Sequence, residues 1–391
     1  MRKILFVINN MDIGGIQKSL LELLKCLNRD YDITVFCVKS TGKLLESIPT
    51  NIPILFGNKY ALISEQTVRQ AKESGIVYGI LRAFLSAWSK LFGKGIPAFV
   101  LTQLMGQIEG SYDIAISYSQ PINDKEFCAL TNEIVLNCCN AREKATFVHC
   151  DFGSYGGNTK YNKGLYTQFD KIAAVSDSVG QRFKNLNLEL SEKVYTVRNC
   201  CDIEQIRLLA EQNSVIYENP AIVTVARLSK EKGLIRCIPI WNRLKNEGLK
   251  FEWHIIGDGN IKEELLSHIK EHSLEEYIFL HGEQTNPYRF IKNADYLLLP
   301  SYHEAAPMVF DEALCLRVPV LTTRTLSADE LVGIRNVGKV CDNEDEAIYA
   351  MLKEALYKND HSGLSLDLEP NNDAVVKQFD CICRGKQFTD E

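Results

Sequence analysis

The sequence predicts an α/β protein with two doubly wound parallel sheets, one in each of two successive domains. Short apolar segments of strand length alternate with segments whose apolar residues repeat at helical spacing, which indicates buried parallel strands covered by helices. This alternation begins at residues 3–8 and begins again at residues 222–226. A chain of 391 residues is long enough for two hydrophobic cores of this kind.

The first domain is predicted over residues 1–205. Residues 3–8 read as a buried strand, Gly14 and Gly15 turn the chain, and a helix with Leu20, Leu23 and Leu27 on one face follows. Further strands are predicted at residues 33–38, 113–117, 146–149 and 171–175. The opening resembles a Rossmann fold, but the G-x-G-x-x-G pattern of dinucleotide-binding proteins is absent.

The second domain is predicted over residues 206–370. Its strands are expected at residues 222–226, 252–256, 277–280 and 296–299, with a helix from Lys230. The two domains together have a hydrophobic content of 46% and a formal net charge of -6, which argues against a nucleic-acid partner. The N-terminal apolar run is too short for a secretory signal, and the thirteen cysteines form no C-x-x-C pair. Reduced thiols in the cytoplasm are therefore expected.

Residues 76–92 predict an amphipathic helix. Val77, Ile80, Phe84 and Trp88 fall on one arc of it. Between residues 59 and 95 there are six basic and two acidic side chains: Lys59, Arg69, Lys72, Arg82, Lys90 and Lys94 against Glu65 and Glu73. Two interpretations stay open: a peripheral helix on an anionic membrane surface at the inner face of the membrane, or a core helix with solvated cations. The segment is too short in apolar residues to span a bilayer.

Residues 296–323 carry the strongest functional signal. The order is strand, loop, helix and strand, and the start of the helix offers free backbone N–H groups and a positive dipole end to an anion such as a diphosphate. Glu304 and Glu312, eight residues apart, bracket this loop. They are placed to contact different parts of one extended ligand.

This E-x7-E segment, with Pro307 inside it and Pro319-Val320 opening the next strand, resembles the retaining GT-B glycosyltransferases of family 4. The segment from Arg227 to Gly233 is similar to the R-L-x-x-x-K-G motif of that family. The resemblance implies two Rossmann-like domains facing a central cleft. It also implies that a C-terminal helix within residues 371–391 packs back on the first, acceptor-binding domain.

The resemblance also assigns roles. It implies that Glu304 contacts the donor sugar and its phosphate, that Glu312 holds the ribose, and that Arg227 and Lys232 grip the diphosphate. His149, at a strand end, is similar to the family's sugar-contacting histidine, which completes a catalytic set with Glu304, Arg227 and Lys232. The donor-binding residues implied are Gly14, Gly15, Asn199, Ala305, Ala306, Pro307, Met308, Val309 and Glu312. Ala305, Arg317 and Cys200 stand where the family usually has glycine.

The expected function is that of a retaining hexosyltransferase in cell-surface polysaccharide biosynthesis. The donor would be a nucleotide diphosphate sugar, with UDP favoured because it is common in the family, and the acceptor a saccharide, lipid-linked if the membrane interpretation holds. Neither a cofactor nor a metal is expected, because Arg227 and Lys232 would supply the charge that a divalent ion brings elsewhere. Two rivals stay open: a sugar-nucleotide 2-epimerase of the same fold, and a non-catalytic sugar-binding protein.

Overall fold

The computed structural model describes residues 1–121 and 123–384 as two compact units. The first comprises Met1–Cys200 together with the C-terminal segment that begins at Asn371, and the second comprises Cys201–Pro370. Each unit has its own parallel sheet and its own buried apolar core. The predicted α/β class, with two doubly wound parallel sheets, is confirmed.

In the described part of the first unit, seven strands form one parallel sheet in the order β3-β2-β1-β4-β5-β6-β7. The strands are β1 (Lys3–Ile8), β2 (Asp32–Cys37), β3 (Ile54–Phe56), β4 (Tyr112–Ser117), β5 (Ala141–Val148), β6 (Lys171–Ala174) and β7 (Val194–Thr196). The chain winds outward from β1 to β3 and then returns to the other side of β1. The switch point of the topology therefore lies between β1 and β4, which is where open α/β sheets bind ligands.

The helices of the first unit cover this sheet. They are α1 (Gly15–Leu27), α2 (Lys59–Ile63), α3 (Val68–Glu73), α4 (Ile76–Phe92), α5 (Gly95–Met105), α6 (Thr131–Cys138), α7 (Lys160–Tyr166) and α8 (Asp177–Leu186), with 3-10 turns at Leu45–Ser47 and Leu188–Lys193. Ser176 caps α8 by accepting a hydrogen bond from Val179 N at 3.1 Å, as its position before the helix indicates. Helices α2 to α5 lie between β3 and β4 in the chain.

The second unit repeats the plan with six described strands in the order β10-β9-β8-β11-β12-β13. Its elements are α9 (Ile203–Glu211), β8 (Ala221–Val225), α10 (Leu234–Asn246), β9 (Glu252–Ile256), α11 (Lys262–Glu271), β10 (Ile278–Leu280), α12 (Tyr288–Ile291), β11 (Tyr296–Leu299), α13 (Met308–Cys315), β12 (Val320–Thr323), β13 (Gly338–Cys341) and α14 (Asp345–Lys358), with a 3-10 turn at Lys230–Lys232 and a π-helical turn at Asp329–Gly333. Here the switch point lies between β8 and β11.

The last described helix, α15 (Asn372–Arg384), packs on the first unit. Phe379 stacks on Phe6 of β1 with ring centroids 5.9 Å apart and meets the ring of Tyr31 edge-on. Gln378 Oε1 accepts a hydrogen bond from Arg198 N at 3.1 Å. The chain therefore leaves the first unit at Cys200 and returns to it at Asn371.

Two element boundaries differ from the sequence prediction by more than one residue. Strand β5 begins at Ala141, five residues earlier than expected, because the backbone of Glu143 and Lys144 pairs with β4 although their side chains interrupt the apolar run. The helix expected from Lys230 begins instead at Leu234, since Gly233 takes a left-handed conformation with φ +66° and separates a short 3-10 turn from α10.

Helix α4 spans Ile76–Phe92 as predicted, but the core-helix interpretation is wrong. Val77, Phe84 and Phe92 are 58–74% exposed, whereas Ser89 is buried. Arg82, expected on the solvated rim, points inward and donates hydrogen bonds of 2.6 Å to the carbonyls of Gln66 and Phe127. Helical periodicity distinguishes two faces of a helix but does not say which one lies against the protein.

Helix α5 extends the exposed apolar surface. Ile96, Phe99 and Leu104 are 43–61% exposed. The apolar side chains of this surface, which we call the α4–α5 surface, are Ile76, Val77, Ile80, Phe84, Leu91, Phe92, Ile96, Phe99, Val100 and Leu104. Among the described helices, none combines the length and the apolarity that crossing a membrane requires.

Candidate active site

The carboxylate of Glu304 is fixed at the switch point of the second sheet. Ser301, fully buried just after β11, donates a hydrogen bond of 2.7 Å from Oγ to Glu304 Oε1. Lys232, which follows β8, donates one of 2.5 Å from Nζ to the same oxygen. Since both loops leave the carboxyl ends of adjacent strands, the structure brings Glu304 and Lys232 together at the edge where α/β sheets bind ligands.

The backbones of these two loops also touch. Tyr302 N donates to the carbonyl of Glu231 at 2.8 Å, and Arg236 Nη2 donates to the carbonyl of Pro300 at 2.6 Å. A Cβ atom on Gly233 would lie 2.1 Å from the carbonyl oxygen of Pro300. Glycine is therefore required at residue 233 both for its φ of +66° and for this close approach.

Ser301 is itself held from the neighbouring strand. Thr323 Oγ1, at the end of β12, donates to the carbonyl of Ser301 at 2.6 Å. Asn343 Nδ2 donates to the carbonyls of Ser301 and Tyr302 at 3.3 and 3.1 Å. Sequence reasoning missed Ser301 and its supports, because a serine next to a strand has no distinctive spacing; only its position three residues before Glu304 could have pointed to it.

Arg227 is exposed at the end of β8. The charge of Arg227 affects the pKa of Glu231. Burial acts to raise this pKa, but a 2.6 Å hydrogen bond from Ser229 Oγ and the charges of Lys232 and Arg227 lower it below its usual value. Gly257 packs closely against the backbone of Ala226, the residue before Arg227. A Cβ atom on Gly257 would lie 1.9 Å from the carbonyl oxygen of Ala226. Arg227 and Lys232 therefore stand on one short, tightly packed segment.

The loop from Ala305 to Pro307 leads into α13, which no side chain of the described residues caps. Pro307 occupies the cap position, so the first turn, which begins with Met308 and Val309, is free to offer backbone N–H groups to an anion. Glu312 lies within α13 and is only 4% exposed. In the same loop and first turn, Ala305 and Val309 are buried and Ala306 is half-buried. Glu304 and Glu312 thus stand in different surroundings, one in the loop and one in the helix.

His149 lies directly after β5, at the carboxyl edge of the first sheet. Burial, opposed by a hydrogen bond with the backbone of Tyr118, lowers the pKa of His149 to about 4, so its imidazole is neutral at pH 7. The backbone N–H groups of His149 and Cys150 both donate to Gln120 Oε1, at 2.7 and 2.9 Å. His149 Nε2 is buried without a hydrogen-bond partner in the described residues.

Of the remaining predicted residues, Gly14 and Gly15 lie at the start of α1, and Asn199 contacts a side chain of that helix. Gly14 precedes the helix with an extended backbone, and a Cβ on Gly15 would meet no described atom within 4 Å, so the approach to this turn is open. Asn199 Oδ1 accepts a 2.6 Å hydrogen bond from Ser19 Oγ, which also lies 2.8 Å from Tyr118 Oη. The carbonyl end of Asn199 is therefore bound to α1 within the first unit.

One cluster of potential metal ligands occurs in the described residues, and it lies elsewhere. His268, Glu271 and His272, at the end of α11, bring their ligand atoms within 4.8 Å of one another. None of the residues predicted for the donor belongs to it.

Known proteins resemble this chain in sequence and in fold. Residues 207–369 match the family model of Glycosyl transferases group 1. The N-acetylgalactosamine-N,N'-diacetylbacillosaminyl-diphospho-undecaprenol 4-alpha-N-acetylgalactosaminyltransferase of Campylobacter jejuni is 32% identical over 156 residues, which cover 40% of this chain and 42% of that protein. The putative colanic acid biosynthesis glycosyltransferase WcaL of Salmonella typhimurium is 29% identical over 224 residues, or 55% of this chain and 54% of that protein. The matches thus span about half or less of these relatives.

A solved structure covers nearly the whole chain. Anabaena Alr3699/HepE, crystallised in complex with UDP-glucose, aligns with a TM-score of 0.68 over 98% of this chain and 99% of its own, at 16% identity. At that identity the likeness concerns the fold alone. Residues 207–369 thus resemble Glycosyl transferases group 1, and the chain as a whole has the GT-B fold.

Proposed function

We propose that this protein is a retaining, metal-independent family 4 glycosyltransferase that moves a hexose from a UDP-sugar to a saccharide acceptor in cell-surface polysaccharide biosynthesis. The observation that carries the proposal is the meeting of Lys232, Ser301 and Glu304 at the switch point of the second sheet. A fixed carboxylate suits sugar hydroxyls, and an adjacent cation suits the phosphate beside them.

In this proposal Lys232, Arg227 and the uncapped start of α13 bind the diphosphate. Negative charge on the diphosphate increases as the glycosidic bond breaks, so cations already in place stabilise the transition state more than the bound donor. Without a donor, Glu304 neutralises Lys232. When the donor binds, its diphosphate gives Lys232 a second anionic partner. The sugar hydroxyls can then donate hydrogen bonds to Glu304 in place of Lys232.

We further propose that Glu312 holds the ribose, that Gly14 and Gly15 line the open turn of the first unit, and that neutral His149 contacts the transferred sugar. His149 suits this role because its uncharged ring offers Nε2 as an acceptor once Nδ1–H is bonded to the Tyr118 carbonyl. A donor phosphate oxygen takes the proton of the attacking hydroxyl, so no side chain is assigned as a general base.

The α4–α5 surface supports a membrane-bound acceptor. Its exposed aromatic and aliphatic side chains suit the acyl boundary of a bilayer. Of the six nearby cations, Lys59, Arg69, Lys72 and Lys90 are exposed, whereas Arg82 and Lys94 are turned inward. A local excess of cations in a chain of net charge -6 fits an anionic lipid surface. A cytoplasmic enzyme bound peripherally there would meet a lipid-linked saccharide.

Incubation with UDP-sugars radiolabelled in the sugar tests the proposal. Transfer, or slow release of the labelled sugar, is expected. A product epimerised at C2 would favour the 2-epimerase, and unchanged ligand would favour a binding protein. A thermal-shift panel of UDP, GDP, ADP and their sugars identifies the base, because a ligand at 100 times its dissociation constant adds about 2.7 kcal/mol to the free energy of unfolding.

A further inference from the structure

We infer that Glu65, Asn9 and Gln120 form a subsite in the first unit that binds the hydroxyl groups of the acceptor saccharide. This inference rests on the proposed glycosyl transfer and names residues for its second substrate. Asn9 is hydrogen-bonded to Glu65 and to Ser119, and Gln120 is the next residue after Ser119 at the same edge of the first sheet.

The position of the cluster is the first argument. Asn9 follows β1 directly, and Ser119 and Gln120 follow β4. Strands β1 and β4 are the two neighbours between which the strand order of this sheet reverses. Their carboxyl ends therefore border the crevice in which a sheet of this topology binds its ligand.

Hydrogen bonds fix the orientation of the side chains. Ser119 Oγ donates to Asn9 Oδ1 at 2.9 Å, which leaves Asn9 Nδ2 to donate to Glu65 Oε2 at 3.2 Å. Ala129 N donates to Glu65 Oε1 at 3.3 Å. A carboxylate can accept about four hydrogen bonds, so both oxygens of Glu65 retain acceptor capacity.

The electrostatics of Glu65 favour hydroxyl donors. Burial raises the pKa of Glu65, against the lowering effect of the hydrogen bonds from Asn9 and Ala129 and of the charges of Lys39 and Arg82. A carboxylate that has lost much of its water and accepts two long hydrogen bonds from the described residues gains from further donors. Its negative charge repels phosphate, so the saccharide rather than a phosphate is the group it recognises.

Gln120 supplies the opposite polarity. It is only 8% exposed, and its Nε2 has no hydrogen-bond partner among the described residues, although its Oε1 is occupied by the backbone of His149 and Cys150. A buried amide N–H₂ without a partner costs free energy that a ligand oxygen would recover. Sugar hydroxyls both donate and accept, and so match a carboxylate and an amide N–H₂ at one edge.

Helix α4 connects this subsite to the α4–α5 surface. Arg82, on the inner face of α4, donates to the carbonyl of Gln66, the residue after Glu65, and to that of Phe127. The outer face of the same helix exposes Phe84 and Ile80. Helix α4 thus supports the loop of Glu65 with one face and exposes apolar residues on the other. This arrangement suits an acceptor that has both a saccharide and a lipid part.

The test compares Glu65→Gln with wild type and with Glu109→Gln, an exposed acid of the same unit, as the matched control. The probes are UDP-sugars as donors and octyl glucoside, octyl galactoside and octyl N-acetylglucosaminide, below their micellar concentrations, as acceptors. Glu65→Gln should raise the KM for the glycoside at least tenfold and lower the rate of donor hydrolysis without acceptor by a smaller factor. Glu109→Gln should match wild type.

The possible outcomes separate an acceptor subsite from a structural role. An unchanged acceptor KM in Glu65→Gln overturns the subsite. A lower melting temperature together with a fall in donor hydrolysis at least as large as the rise in acceptor KM also overturns it, because this would show a structural role. If wild type uses no donor at all, the proposed transfer fails, and the subsite is then judged by saturation-transfer NMR of the glycosides alone. Binding to wild type that Glu65→Gln loses would support it, and no binding to wild type would overturn it.

Discussion

Lys232 and Glu304 are 72 residues apart in the chain and share a hydrogen bond of 2.5 Å. The cation proposed for the diphosphate and the carboxylate proposed for the donor sugar therefore hold each other before any donor binds. Removing either partner leaves the other partly buried and unpaired, so the two side chains act as a unit and their mutational effects should not add.

Lys232→Ala should lower turnover by about 100- to 1000-fold, the loss expected when one preorganised partner of a developing charge is removed. Donor affinity should change less, because the charge on the diphosphate grows only as the bond breaks. Steady-state kinetics with a labelled UDP-sugar measure both. Lys230→Ala, which removes an exposed cation two residues away, is the control. Near-normal turnover in Lys232→Ala would remove Lys232 from the site.

Arg227→Lys should not restore the activity that Arg227→Ala loses, since lysine keeps the charge but lacks the planar fork that binds two phosphate oxygens. Transfer rates of the three proteins, each measured with and without excess EDTA, test this together with the metal-independent mechanism. Full recovery in Arg227→Lys would contradict bidentate binding, and a rate abolished by EDTA would mean that a divalent ion neutralises the leaving group.

Glu312→Ala should weaken nucleotide binding, because a ribose contact is made equally in the ground and transition states. Glu304→Ala should instead lower turnover more than donor affinity. Titration calorimetry with UDP, alongside kcat and KM, separates the two effects. The same pattern in both variants would refute the proposed division between the loop carboxylate and the helix carboxylate.

The protein should sediment with vesicles that contain anionic phospholipid and detach in high salt, since each cation near the surface contributes about 1 kcal/mol that salt screens. Phe84→Ser with Phe92→Ser should abolish this binding. Leu188→Ser with Ile216→Ser, which removes two residues that are 74% and 86% exposed outside the α4–α5 surface, is the matched control. Equal sedimentation of both double variants would exclude α4 as the contact.

Acid should destabilise the protein through His149. Its pKa is about 4 in the folded chain and about 6.5 when unfolded, so between these values the unfolded chain binds more protons. The free energy of unfolding should therefore fall as the pH drops from 6.5 to 4, with a contribution of up to about 1.4 kcal/mol per pH unit from this group. Urea unfolding across this range should show a shallower slope for His149→Gln; parallel slopes would contradict the buried, neutral imidazole.

Sequence reasoning found the elements that carry a strong local signal. The strands Lys3–Ile8, Glu252–Ile256 and Tyr296–Leu299 have the predicted bounds, and each contains apolar residues that are buried in the sheet. Strands β3, β7 and β13 were not predicted, since three or four residues at a sheet edge give too short a pattern. Their places in the two sheets depend on pairing with β2, β6 and β12.

The candidate site was predictable only in part. The spacing of Glu304 and Glu312 and the segment from Arg227 to Lys232 are visible in the sequence, and their assignment to donor binding stays a prediction. The support from Ser301, Thr323 and Gly233 is not visible, because it depends on hydrogen bonds and backbone approaches between strands. The direction in which α4 faces depends likewise on contacts such as that of Arg82 with Gln66.

The connection between β3 and β4 is long and contains the four helices α2 to α5. A longer connection adds little entropic cost, because the closure penalty grows only with the logarithm of loop length. The exposed side chains of this segment contribute nothing to the strands of the first sheet, so they can change while the sheet and its switch point stay intact. The outward-facing side chains of α4 and α5 are thus an exchangeable part of the fold, through which a protein of this architecture could be re-addressed to a different surface while Glu65 and the sheet are retained.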